Sequence, residues 1–276
     1  VDTKNLVGEF TWDTSLTFSK TNSFWKERLP NYDYQIYQQR ENEPMSAYYY
    51  YNVTGIINTD RSNMPESQKT LQAEAQLPGC PIIEDKNKDG KIDENDVYMK
   101  DNSPAIYVGI GNTFTYKRFE FSFFMYGQFG IQKYNIAYSA AQAGPLAVDY
   151  PENSNKFAYR LWNSQTNPNG SRPGLAIGKM GALPGNAWVN ADRENASFMR
   201  MRNITLAYNL AGNILGSLQR YVRNIKVYVD AQNPFILTKF QGFDPEIYTG
   251  GGGASGGSRG EYPQTRTFSL GANITF

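Results

Sequence analysis

Histidine is absent from the 276 residues, which removes His-dependent catalytic triads and His-ligated zinc sites together. Cysteine appears once, at Cys80, so no internal disulfide can form and a disulfide-stapled secreted scaffold is excluded. No apolar run approaches the roughly 18 to 20 residues that a membrane-spanning helix needs. Charge of one sign is missing too: 27 Lys and Arg stand against 26 Asp and Glu. No basic stripe alternates with aromatics, so nucleic acid is not an expected partner. The opening VDTKNLVGEF has no charged segment followed by an apolar stretch, so no signal peptide is visible. Carboxylates are plentiful, but spacing places no pair for acid–base work, and no enzyme activity is expected.

Aromatic residues are abundant, with 20 Tyr, 16 Phe and 4 Trp beside 25 Gly. Mean hydropathy is a polar −0.58, yet this average conceals a period-two alternation that recurs six times. It runs near 6–20, 106–116, 119–130, 197–210, 225–233 and 266–276. The last is the cleanest: Phe268, Leu270, Ala272, Ile274 and Phe276 share one parity, while Thr267, Ser269, Gly271, Asn273 and Thr275 take the other. The third sets Phe119, Phe121, Phe123 and Met125 against Glu120, Ser122, Tyr126 and Gln128.

Such alternation also suits a soluble antiparallel sheet with one wet face. Three features favour a membrane barrel. Several segments reach about ten residues, the length of a tilted strand crossing a bilayer. The polar parity is mostly Thr, Ser, Asn, Gly and Tyr, which suits a watery lumen. Connections alternate between short (Lys117-Arg118 and 211–224) and long (21–105, 131–196 and 234–265), as in outer-membrane barrels with long extracellular loops. The expected fold is all-β: six antiparallel strands forming part of a larger transmembrane barrel. Six strands leave two open edges in lipid, which is not tolerated, so the remaining strands of the barrel must complete it.

The sharpest local motif is Asp85-Lys-Asn87-Lys-Asp89-Gly90-Lys91-Ile92-Asp93-Glu-Asn-Asp96. It places oxygen donors at positions 1, 3, 5, 9 and 12 of a calcium loop, with Gly90 at the sharp turn and the Lys91 carbonyl at position 7. A structural Ca2+ held by Asp85, Asn87, Asp89, Lys91, Asp93 and Asp96 is the expectation. Position 12 is Asp rather than Glu, and no helical pattern flanks the loop. The competing reading is a polar loop closed by Asx-turns, without an ion. Tyr48-Tyr49-Tyr50-Tyr51 either stacks on sugar rings or fills the loop's own small core. The run from Gly250 to Gly260 lacks a following helix and reads as a flexible or hairpin tip. Arg200 and Arg202 share the parity of apolar Ile204, so they are expected outward at the extracellular rim, as lipopolysaccharide contacts or ordinary rim charges.

Several stretches together resemble the SusC/RagA family of TonB-dependent outer-membrane transporters. They are Glu84–Asp96, Ile106–Gly130, Leu161-Trp162-Asn163 through Pro168-Asn169, Ala196–Tyr208, Val227–Phe235 running on to Gly242–Glu246, and Tyr262–Phe276. The resemblance spans most of the chain in the family's order. It implies the C-terminal part of a barrel of about 22 strands, with the plug and the TonB-contacting segment lying in an N-terminal part that is missing here. It further implies TonB-driven import of a glycan or peptide, with a SusD-like surface lipoprotein as partner. Phe268, Leu270, Ala272, Ile274 and Phe276 would then be the assembly signal read by the barrel-insertion machinery. Substrate-contacting residues follow no placeable motif. Two readings stand beside import: a TonB-linked barrel in protein secretion or surface assembly, and a soluble or surface-anchored β-sheet binding module.

Overall fold

Strict alternation gives every strand two chemically different faces, and the computed structural model lays these strands side by side in one antiparallel wall. It describes all residues except 31, 39–41, 104–105, 136–158, 175–182, 187, 192, 243 and 247–263. Along the chain the strands are β1 Asp2–Leu6, β2 Phe10–Ser19, β3 Ala47–Tyr51, β4 Val53–Ile56 and β5 Pro81–Ile83. Next come β6 Tyr98–Asp101, β7 Ile106–Tyr116, β8 Phe119–Phe129, β9 Gln132–Tyr134 and β10 Trp188–Val189. The last are β11 Arg193–Asn195, β12 Phe198–Ala211, β13 Asn224–Gln232, β14 Ile236–Thr238 and β15 Thr267–Thr275.

The wall runs β1-β2-β7-β8-β12-β13-β15, with β14 pairing the far end of β12. Register is continuous from Phe10↔Tyr116 to Ser19↔Tyr107 and from Ile106↔Phe129 to Tyr116↔Phe119. The β7–β8 turn is two residues long, and Lys117 takes a left-handed φ of 54° to close it. Two 3-10 turns within Gly212–Arg220, separated by a kink at Gly216, join β12 to β13. All short turns fall at one end of the wall, and the three long connections leave from the other. No helix among the described residues is long and apolar enough to cross a membrane, which says nothing about strands.

The outer face is apolar and strongly aromatic. Phe114 stacks on Trp12, Phe121 and Phe123 at 5.8, 6.1 and 6.3 Å between ring centroids. At the short-turn end Phe119 meets Tyr208 edge-on at 4.7 Å; aromatic girdles of membrane barrels sit at such strand ends. The inner face is small and polar. Gly109 is required there: a Cβ would lie 2.3 Å from Thr17 Oγ1 and 3.3 Å from the Phe124 ring.

Two details depart from expectation. Asp2–Leu6 is an additional wall strand on β2, set off by a turn through Gly8. The long connection 21–105 is a folded module rather than an irregular loop. Tyr51, Leu71, Ala75, Ile83, Ile92 and Val97 form its buried core, joined by Leu183 from the next long connection. The second connection also contributes β10, which pairs in parallel with β3. Cys80 is fully buried in a smaller core with Ile57 and Ile82, and burial raises its thiol pKa.

Candidate functional site

The inner face carries the wall's polar chemistry. Glu120 and Lys226 reach across Ala207 to pair at 2.9 and 3.0 Å, and Thr205 donates to Asp230 at 2.6 Å. A cleft of about 470 Å³ opens on this face, lined by Asp2, Lys4, Asp13, Ser15, Ser122 and Phe124 among others. Such a surface can hydrate a lumen and hydrogen-bond a passing polar solute.

At the loop-bearing end of the wall lies a buried charge cluster. Arg200 is 3% exposed and grips Asp244 with two bonds, 2.7 and 2.8 Å. Its Nε also pairs with Glu246. Arg202 reaches Glu246 at 2.7 Å and sits 4.6 Å above the Tyr126 ring, while the Tyr126 hydroxyl donates to Glu246. The inward position of Arg200 corrects the expectation of outward rim arginines. The pairing runs Met201↔Met125 and then Asn203↔Phe124, so Arg202 is an extra residue in β12. One extra residue exchanges the two faces of everything beyond it. Arg200 therefore opposes inward Tyr126 instead of sharing the face of Ile204. Asp244 and Glu246 went unrecognised as its partners. The available signal was an acidic pair in a segment that follows a strand holding two Arg.

A second knot centres on Glu194, which accepts from Arg172, Asn135 and the Gln241 backbone, each at 3.1 Å. Together the two clusters tie Gln241, Asp244 and Glu246 to the wall and its neighbouring connection.

In the acidic loop the structure uses the oxygens locally. Gly90 N–H donates to Asp85 Oδ2 (2.9 Å), Asp89 N–H to Asn87 Oδ1 (3.1 Å) and Lys91 N–H to Asp89 Oδ1 (2.9 Å). Asp93 caps the following 3-10 turn through Asn95 N–H. Asp96 is fully buried and accepts from Lys86 N–H and Asp93 N–H, both at 2.8 Å. Gly90, with φ 85°, makes the sharp turn. Lys86 Nζ is drawn to the Val97 carbonyl and the Tyr98 ring. The donors are of the hard-oxygen kind calcium takes, and Asp85 Oδ1 is buried without a hydrogen-bond partner. Yet among the described residues no three His, Cys, Asp or Glu side chains gather closely enough to hold an ion.

The four tyrosines divide between two roles. Tyr51 is fully buried and its hydroxyl faces the Asp93 and Pro184 carbonyls at 3.0 and 3.1 Å; burial raises its pKa above the ordinary tyrosine value. Tyr48 and Tyr50 stack at 5.2 Å, and the Arg193 guanidinium lies 3.6 Å from the Tyr48 ring. Burial lowers the Arg193 pKa. Phe268, Leu270, Ile274 and Phe276 stay 51–82% exposed on the outer face of the last strand, with Ala272 among them. The glycine-rich run 250–260 lies outside the described residues.

No protein-family model matches the chain. It is 31% identical over 196 residues to the TonB-dependent receptor SusC of Bacteroides thetaiotaomicron, covering 70% of this chain and 17% of that protein. It is 26% identical over 296 residues to the TonB-dependent receptor P3 of Formosa agariphila, covering 100% of this chain and 28% of that one. Among solved structures it resembles the RagAB peptide importer in its closed-closed state. There the TM-score is 0.65 at 17% identity, over 100% of this chain and 28% of the other. The RagAB peptide transporter gives 0.63 at 20% identity, over 97% and 27%. The chain thus spans roughly a sixth to somewhat over a quarter of the curated relatives it matches.

Proposed function

This chain belongs to the SusC/RagA family of TonB-dependent receptors, and on that footing we propose that it is one sector of an outer-membrane barrel importing glycans or peptides. The observation that carries the reading is the two-faced wall. One side is a mainly aromatic and aliphatic surface, the other a polar surface with a cleft, and both flanking strands, β1 and β15, lack a further partner among the described residues. Open edges template unwanted pairing and cannot persist in hydrocarbon, so further strands must close the ring. Polar lumen, lipid-facing exterior and loop module on one side then fit a Gram-negative outer-membrane importer. TonB would act through a segment outside this chain, and a SusD-like lipoprotein would cover the loop module.

Deleting the full-length gene tests this. Growth on one glycan or peptide mixture as sole nutrient should be lost, as should co-purification of a surface lipoprotein with the barrel. Intact nutrient uptake together with loss of a surface-exported protein would replace import by the secretion reading. Extraction of the full-length protein without detergent would instead favour a soluble or surface-anchored binding module.

The acidic loop is proposed as a calcium site that stiffens the loop module, supported by the unpartnered Asp85 Oδ1 and the donor spacing. Calcium at one hundred times its dissociation constant would stabilise the bound form by about 2.7 kcal/mol. The expected result is that millimolar calcium slows proteolysis at 85–96 in the full-length protein, and that Asp85→Ala abolishes the protection. Equal cleavage with calcium and with chelator would leave the loop as a set of ion-free Asx-turns.

A further inference from the structure

An aromatic ring lies on the inner face where its surroundings are polar. Phe124 has the parity of Glu120, Ser122 and Tyr126, so β8 turns it inward, and 39% of it stays exposed. It stands opposite Gly111 on β7 and Asn203 on β12. Two glycines let the ring lie against the wall. A Cβ at Gly109 would come within 3.3 Å of it, and one at Gly111 within 3.6 Å. A single exposed ring is ordinary on a protein surface. What sets this one apart is the chemistry around it.

Elsewhere the inner face satisfies itself, Thr205 pairing with Asp230 and Lys226 with Glu120. The cleft of about 470 Å³ beside Phe124 does not. There the side chains of Asp2, Lys4, Asp13, Ser122 and Asn203 make no hydrogen bond or ion pair with any other described residue. Lys4 and Asp13 are even cross-strand partners, yet they do not pair. The wall thus surrounds an exposed ring with polar groups it leaves unengaged, in a cleft of the size small-ligand sites have.

The mixture of groups selects a ligand class. Carboxylates accept, an ammonium donates, and hydroxyl and amide groups do both. A sugar ring matches this set, because each of its hydroxyls both donates and accepts. The C–H bonds on one side of that ring form an apolar plate that lies flat on an aromatic face. A peptide carries its polar groups along an extended backbone, which a free strand edge holds better. Asp2 and Asp13 outnumber Lys4, so like-charge repulsion disfavours uronic or sulfated sugars.

We propose that this cleft is a lumenal subsite for a neutral sugar ring, stacked on Phe124 and hydrogen-bonded by Lys4, Asp13 and Asn203. The inference rests on the import reading and selects glycan over peptide as the cargo.

The test uses gene-deleted cells carrying the full-length protein, with uptake measured for labelled probes. The neutral probes are maltohexaose, cellohexaose, mannohexaose and xylohexaose; the others are hexagalacturonate and tryptic peptides of casein. Wild type should take up at least one neutral hexasaccharide in preference to hexagalacturonate and the peptides. Phe124→Ala and Phe124→Leu should each raise its half-saturating concentration about fivefold, the scale of one aromatic contact, and Phe124→Tyr should restore it. Asp13→Ala should raise it about tenfold, as loss of a hydrogen bond to a charged group does. It also carries the test if the Phe124 variants lose the heat-modifiable mobility of a folded barrel. Neutral uptake that is the same in wild type, the folded Phe124 variants and Asp13→Ala overturns the subsite and leaves glycan import standing. Uptake of the peptides or hexagalacturonate alone overturns the neutral-sugar assignment and leaves import standing. Uptake of no probe, with a surface-exported protein lost on deletion, overturns the import reading and the inference with it.

Discussion

Arg200→Ala should free residues 236–246 from the wall and cost the folded protein about 3–5 kcal/mol, the range for removing one partner of a buried ion pair. The cost arises from what remains. Asp244 and Glu246 are 6% and 8% exposed at their side chains, and without Arg200 their charges lose the bidentate grip and the second contact that offset desolvation. Arg202 still reaches Glu246, but it is 34% exposed and has no bond to Asp244. Hydrogen exchange on the full-length barrel is the direct measurement: protection across 236–246 should fall while that of β7 and β8 stays. Arg202→Ala should lower the same protection less. Replacing Arg200, Asp244 and Glu246 together by Met, Asn and Gln should recover much of the loss, because no uncompensated charge is left inside. Equal exchange in wild type and Arg200→Ala would mean the cluster does not hold the segment.

Leu206→Arg should destabilise the barrel by about 1–3 kcal/mol, the cost of a cation on the lipid face between the interface and mid-depth. Leu206 sits between Phe121 on β8 and Val229 on β13, and both share its outward direction. Thr113→Lys, in contrast, places a cation on the inner face beside Asp13, its partner on β2. That change should stay within about 0.5 kcal/mol, as surface substitutions usually do. Urea unfolding in lipid vesicles, read by heat-modifiable mobility, gives both numbers. If the two variants lose equal stability, the assignment of lipid and lumen faces is wrong.

What the sequence disclosed follows from the physics of each segment. The strand at 267–275 was legible because five apolar residues keep one parity without a break. The strand at 2–6 was not: Thr3 and Asn5 stand on its outer face, so polar residues occupy both parities and no alternation is visible. Arg200 was misdirected for a different reason. Parity counting presumes a regular pleat, and the extra residue at Arg202 breaks it without any compositional mark. The acidic loop disclosed its turn chemistry through Gly90 and the spaced Asp and Asn, but not how backbone N–H groups would share those oxygens. The module in 21–105 was hidden because short strands and 3-10 turns carry no sustained period. Its core depends on Leu183, which no local pattern connects to Tyr51.

That last dependence sets an order of events during biogenesis. Asn190 bonds to Asn52, 138 residues earlier in the chain, next to the place where β10 joins β3. Contacts so distant in sequence form late, since a large loop must close before they stabilise anything. Two wall strands, β7 and β8, lie between the halves of the module. On the barrel reading those strands must be threaded before the halves can meet outside, so the surface module is finished only after this part of the wall is in place. Until then the Tyr51 core is unsealed, and nascent barrels should expose it to surface proteases for a brief interval that mature ones do not share.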